Sequence, residues 1–265
     1  MPTTSCASSA RRARPSTGWA GWSRATARRG CRSTAWRAEA LDRAGRRRVA
    51  VLISGRGSNL EALIEHCARP AASAAIALVV SNEPQAGGLA HAQTAGIACE
   101  VVDHRACGGR TEFERRINST LQASEIDLIC LAGFMRVLGA GFVALWRDRL
   151  LNIHPSLLPA FPGLDTHRRA LAAGVRFHGC TAHFVRAEVD QGPIIVQGVV
   201  PVRPDDTEDS LAARVLAVEH RCYPLALELV ASGRARVEDE RVVVEGAAPA
   251  GRALINPPPG DLPAV

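Results

Sequence analysis

Short apolar runs alternate along this chain with longer stretches in which apolar residues return every three or four positions. Residues 49–53, 76–80, 98–102 and 127–131 have the length and character of buried strands. Between them, residues 58–66 (through Leu60, Leu63 and Ile64), 87–95, 111–123 and 140–146 carry a helical period. Four strands joined by helices and feeding a fifth at 150–153 predict an α/β fold: one doubly wound, mostly parallel sheet with helices on both faces. Beyond it the pattern predicts a short helix at 166–173 and strands at 179–186 and 193–202. A long helix follows from Thr207, with a kink expected at Pro224 and a stop at Gly233, and then a small hairpin through Val237 and Val242. No internal repeat is visible.

The stretch from Leu150 to Gly163 organises the rest. Side chains on a strand alternate faces, so Leu151 and Ile153 point one way and Asn152 and His154 the other, side by side. Pro155 biases His154 toward extended backbone and keeps a helix from turning the imidazole away from the amide. Ligands of open α/β sheets bind just beyond the carboxyl ends of strands, which makes Asn152 and His154 a candidate catalytic pair. The plainer reading is a turn-capping asparagine beside a satisfied histidine.

A second candidate is Ser54-Gly55-Arg56-Gly57-Ser58-Asn59, where a strand passes through a glycine turn into a helix. Such a turn offers free backbone N–H groups and the positive end of the helix dipole to an anion. Leu60 stands where a dinucleotide fingerprint has its third glycine, and the next strand ends in Ser81-Asn82 rather than in an acid for a ribose hydroxyl. A phosphate monoester therefore fits better than a dinucleotide, and the P-loop Gly-Lys pair is absent. An ordinary turn with Ser58 as helix cap is the alternative. Asp190 lies in the polar connection 188–192, where a carboxylate stays charged and can reach a histidine, although a solvated turn acid would look the same.

All 32 basic residues are arginine, and the net charge is +6. Residues 1–48 hold 12 arginines against Glu39 and Asp42, so the other 217 residues, with 20 arginines and 24 acids, are mildly acidic. That body has no basic stripe, which argues against nucleic acid as the main partner. Residues 1–47 lack a sustained apolar period and are expected to be disordered. An over-long translation start is favoured over a transit peptide or a nucleic-acid tail. Residues 247–265 read as a loose, proline-rich end. The eight cysteines include no Cys-x-x-Cys pair, so the chain suits a reducing cytoplasm, and no clustered metal motif is present. No apolar run reaches the roughly 20 residues that span a bilayer.

Residues 48–246 form the expected domain, and over them the chain resembles the phosphoribosylglycinamide formyltransferases, the folate-dependent family of purine synthesis. The resemblance is carried by Gly55-Arg56-Gly57-Ser58-Asn59, Ala132-Gly133-Phe134-Met135-Arg136-Val137-Leu138, Asn152-Ile153-His154-Pro155-Ser156-Leu157-Leu158-Pro159, His183-Phe184-Val185 and Asp190-Gln191-Gly192-Pro193-Ile194-Ile195, in that order. It implies a formyltransferase-like fold and transfer of a formyl group from 10-formyltetrahydrofolate, as co-substrate, to glycinamide ribonucleotide. It further implies that Gly57, Ser58 and Asn59 hold the ribonucleotide phosphate, with further ribonucleotide contacts from Pro155, Leu216, Ala217, Val218 and Glu219. Folate contacts fall on Arg110, Met135, Arg136, Val137, Leu138, Asn152, Arg186, Ala187, Glu188, Val189 and Asp190. His154 matches the proton donor and Asp190 the acid that supports its charged form, with Asn152 beside them. Small-molecule substrates, no metal, no membrane and a monomer or homodimer are expected.

Three other readings compete with this one. A deformylating hydrolase could use the same three polar groups, but its relatives carry an added amino-terminal regulatory domain. An initiator-tRNA formyltransferase would need a carboxy-terminal nucleic-acid domain. A non-enzymatic nucleic-acid binder would act through the arginine-rich leader.

Overall fold

The computed structural model describes residues 45–246, 251 and 254–256. Residues 1–44 of the expected leader, and most of the proline-rich end, lie outside the described residues. The first strand, β1, spans Arg47–Ile53 and is followed by α1 (Ser58–Cys67), β2 (Ala74–Ser81), α2 (Gly88–Thr94) and β3 (Ala98–Val101). Then come α3 (Arg110–Ala123), β4 (Leu128–Leu131), α4 (Ala140–Leu145), β5 (Leu150–His154) and α5 (Thr166–Ala172). The order closes with β6 (Phe177–Phe184), β7 (Ile194–Pro201), α6 (Glu208–Ala231), β8 (Ala235–Glu238) and β9 (Arg241–Val244).

Seven strands form one sheet in the order β3-β2-β1-β4-β5-β6-β7, while β8 and β9 pair as a separate hairpin. The first five strands run parallel, whereas β6 and β7 are antiparallel. The expected mostly parallel sheet is observed. After β3 the chain crosses β1 to lay down β4 on its far side, so the order reverses between β1 and β4, the place where such sheets open a crevice. Several expected boundaries move by one or two residues: β2 spans Ala74–Ser81, and β6 starts at Phe177 and ends at Phe184 rather than Arg186, whose side chain leaves the sheet. A single 3-10 turn at His104–Ala106 precedes α3.

Period-2 alternation assigns each strand to two cores. On one face Val49, Val51 and Ile53 of β1 pack with Leu60 and Leu63 of α1, with Leu151 and Ile153, and with Val215, Tyr223 and Leu227 of α6. On the other face Ala50 and Leu52 meet Phe113, Ile117 and Leu121 of α3, Phe142 of α4, Trp146 and Leu150. The helix α6 begins with a capping box between Thr207 and Ser210 and runs on through Pro224. Its buried Tyr223 hydroxyl donates toward the carbonyl oxygens of Leu131 (2.9 Å) and Leu151 (3.2 Å), tying the helix to the last residue of β4 and the second of β5. Among the described residues no helix is long and apolar enough to cross a membrane.

The rings of His167 (α5) and His178 (β6) meet edge to face, with centroids 5.3 Å apart. His178 is 1% exposed. Burial, and after it the neighbouring His167 and His154, push its pKa down from the ordinary 6.5 to about 4.

Tyr223→Phe should lower the unfolding free energy by about 1 kcal/mol, and Tyr223→Ala by about 3–5 kcal/mol, both read from denaturant midpoints. Equal midpoints for wild type and Tyr223→Phe would show that the hydroxyl bond holds nothing. Because the folded-state pKa of His178 is depressed, its contribution is present above pH 6.5 and is lost as pH falls through about 4. The unfolding free energy of wild type should therefore fall more steeply across that window than that of His178→Phe. Parallel curves would contradict this.

Candidate active site

Asn152 and His154 leave β5 on the same face as Leu150, and the strand continues through His154 as the Pro155 brace requires. The antiparallel register with β6 places Asn152 opposite His183 and His154 opposite Thr181. His183 Nδ1 donates to the Phe184 carbonyl (2.9 Å), which leaves its Nε2 as an acceptor for Asn152 Nδ2 at 3.3 Å. Burial pushes the His183 pKa down, in keeping with a neutral ring, against opposing pulls from the Phe184 bond and Asp190. One N–H of Asn152 is thereby used to orient the amide, and the other remains for a ligand.

His154 is 5% exposed. Its Nδ1 lies 3.3 Å from Asp190 Oδ2, and its Nε2 lies 3.0 Å from the Phe161 carbonyl oxygen. Both partners are acceptors, so the ring donates to both only when doubly protonated. Asp190 adopts a left-handed backbone (φ 57°) in the β6–β7 connection. Its Oδ2 also accepts the Gly163 N–H (2.8 Å), and its Oδ1 stands 3.8 Å from His183 Nε2. Three chain segments, β5, the loop after it and the β6–β7 loop, thus meet at one carboxylate.

Two strands away, α1 starts from Gly57, whose φ of 84° suits glycine and whose Cβ, if present, would lie 2.5 Å from Gly88 Cα. No side chain caps the helix, so the alternative of a Ser58 cap is not realised and the first-turn N–H groups are left without a side-chain acceptor. β1 pairs with β4 and β4 with β5, which puts this turn roughly 10 Å from the Asn152 strand. Asn59 Nδ2 donates to Glu219 Oε2 at 2.7 Å. Burial pushes the Glu219 carboxyl up, and the Asn59 bond opposes it.

The other residues predicted from sequence are spread over several surfaces. Leu216, Ala217, Val218 and Glu219 cannot share one helix face: Glu219 turns to Asn59, while Val218 packs on the sheet at Gly198, where an added Cβ would come within 2.2 Å of it. Leu138 is buried with Phe113 and Phe142, whereas Met135, Arg136 and Val137 are exposed. The Arg186 guanidinium is turned away to Asp148 and Glu240, so position 186 can serve a ligand only through its backbone. Ala187, Glu188 and Val189 are exposed, as is Arg110, which pairs loosely with Glu114 (3.9 Å). Pro155 is half-buried behind His154.

Sequence reasoning assigned no role to His183, Ser54 or Asn82. The Met135 N–H donates to Ser54 Oγ (2.8 Å), which donates to Asn82 Oδ1, and Asn82 Nδ2 lies 3.2 Å from His104 Nδ1. The polar end of β2 that argued against a dinucleotide thus braces the loop after β4. The available signal for His183 was the cross-strand register, which the periodicity of β6 does not contain.

The formyl transferase family model matches residues 47–227. The chain is 53% identical over 190 residues to the trifunctional purine biosynthetic protein adenosine-3 of Gallus gallus, covering 72% of this chain but 19% of that protein. It therefore spans about a fifth of such relatives. It is 43% identical over 198 residues to the phosphoribosylglycinamide formyltransferase of Escherichia coli (strain K12), covering 75% of this chain and 93% of that one. The crystal structure of glycinamide ribonucleotide transformylase 1 from Symbiobacterium toebii superimposes with a TM-score of 0.74 at 46% identity, over 76% of this chain and 94% of that one. With its domain matched by the family model and by a relative nearly end to end, the chain belongs to the formyl transferase family, in its phosphoribosylglycinamide formyltransferase branch.

Proposed function

We propose that this chain transfers the formyl group of 10-formyltetrahydrofolate to the primary amine of glycinamide ribonucleotide, with Asn152, His154 and Asp190 at the reacting carbon. The observation that carries the reading is the convergence of the amide, the imidazole and the buried carboxylate two strands from an uncapped helix N-terminus. That N-terminus, at Gly57, Ser58 and Asn59, suits the phosphate, and Glu219 suits the ribose side. The exposed Met135, Arg136 and Val137 and the backbone of residues 186–190 form the folate side.

The amine nitrogen attacks the formyl carbon, giving a tetrahedral carbon that bears an oxyanion. The free N–H of Asn152 and an N–H of His154 donate to that oxygen, each such donor contributing about 2.7–4 kcal/mol of transition-state stabilisation. For this, His154 Nε2 exchanges the Phe161 carbonyl for the oxyanion. Asp190 holds Nδ1 and balances the imidazolium charge. The carbon–N10 bond then breaks as the proton lost by the amine is delivered to N10. These steps use the side chains present. Among the described residues no three or more His, Cys, Asp or Glu converge as a metal site. The six described cysteines are free thiols, as a reducing cytoplasm would keep them.

Purified protein given both substrates should release tetrahydrofolate and formylated ribonucleotide in equal amounts. His154→Ala, Asn152→Ala and Asp190→Asn should each lower kcat about 10²–10³-fold with circular dichroism unchanged. Formate released without ribonucleotide would point to the hydrolytic rival, and near-normal turnover in a variant would remove that residue from the mechanism. Gly57→Ala forces a Cβ against backbone at Gly88, so KM for the ribonucleotide should rise about tenfold or more while KM for the folate stays within twofold. Equal effects on both would contradict a phosphate role for this turn.

A further inference from the structure

The loop that delivers Asp190 is gripped from outside the site by charges for which the reaction has no use. Arg186 is 8% exposed, yet its guanidinium donates to Asp148 Oδ1 through Nη2 (2.6 Å), to Glu240 Oε2 through Nε (2.7 Å) and to the Val185 carbonyl through Nη1 (3.1 Å). Glu240 also pairs with Arg147. Two arginines and two carboxylates thus join the α4–β5 connection, the β6–β7 loop and the turn of the β8–β9 hairpin. Burial opposes the charge on Arg186, and bonds to Glu240 and Asp148 outweigh it.

The base of the same loop is pinched. The Phe184 N–H donates to Pro193 O (2.9 Å), and Gly192 lies so close to Phe184 that a Cβ there would fall 1.6 Å from its carbonyl oxygen and 3.4 Å from Arg186 Cγ. Asp148, Asp190 and Glu240 all hold left-handed backbone (φ 57°, 57° and 58°), a conformation that persists in non-glycine residues only where surroundings over-determine it. The hairpin lies beyond residue 227, where the family match ends.

We propose that Arg186, clamped between Asp148 and Glu240, is a positioning residue that sets the loop 187–190, so that the β8–β9 hairpin helps fix where Asp190 meets His154. The inference rests on the formyl-transfer reading and deepens it. Asp190 stands 3.3 Å from His154 and 3.8 Å from His183, and a misplacement of about 1 Å in such a contact can cost 10²-fold in rate.

The test compares wild type, Glu240→Gln, Asp148→Asn, Arg186→Met and the double variant Glu240→Gln/Arg186→Met by steady-state kinetics, thermal melting and imidazole nitrogen NMR of the ligand-free proteins. Arg186→Met should lower kcat about 10–100-fold and raise KM for the folate, leaving KM for the ribonucleotide within about twofold. Glu240→Gln, at a half-exposed turn where folding is not at stake, should move the same quantities about threefold to tenfold and shift the His154 resonances. The double variant should be no worse than Arg186→Met alone, because both changes act through one contact. Lower melting temperatures with kcat, both KM values and the His154 resonances unchanged would make the cluster a fold staple only and overturn the proposal. Wild type that transfers no formyl group would instead sink the reading of the reaction, and unmoved His154 resonances in Glu240→Gln would then overturn the clamp independently.

Discussion

A carboxylate that is nearly buried cannot remain charged without partners, and Asp190 finds them in two places at once: the Gly163 N–H and the ring of His154. Each partner belongs to a different segment, so satisfying one group fixes the loop after β5, the end of β5 and the β6–β7 connection relative to one another. The amide of Asn152 is then oriented through His183. Removing the carboxylate would leave His154 with a single acceptor and the Gly163 N–H with none.

Two histidines a few ångströms from the same acid have different hydrogen-bond surroundings. His183 has one nitrogen on a backbone carbonyl and the other on an amide N–H, so burial keeps it neutral. Both ring nitrogens of His154 face acceptors, Asp190 Oδ2 and the Phe161 carbonyl oxygen. One ring therefore orients the amide while the other is held by the carboxylate, and the difference follows from hydrogen-bond partners rather than from residue type.

The sheet supplies the larger geometry. Reversal of strand order between β1 and β4 brings the glycine turn, the loop after β4 and the end of the Asn152 strand to the carboxyl ends of the central strands. The loop after β4 is braced through Ser54 and Asn82, and α6 is fastened to β4 and β5 through Tyr223. The outlying β8–β9 hairpin reaches the same neighbourhood through Glu240 and Arg186.

Local period carried much of this structure. The period-2 and 3.6-residue patterns placed nearly every strand and helix, and the adjacency of Asn152 and His154 on one face of β5 follows from strand pleating and the Pro155 brace alone. The glycine turn was legible because strand, turn and helix are contiguous. Tertiary structure alone decided what lies between distant segments. Strand periodicity is the same in parallel and antiparallel pairs, so the antiparallel course of β6 and β7, and with it the contact of His183 with Asn152, is absent from any window of sequence. The contact of Asp190 with His154, the turning of Arg186 toward a hairpin more than fifty residues away and the burial of Leu138 were settled by which surfaces meet when the chain packs, a property of the whole fold that no local run of residues encodes.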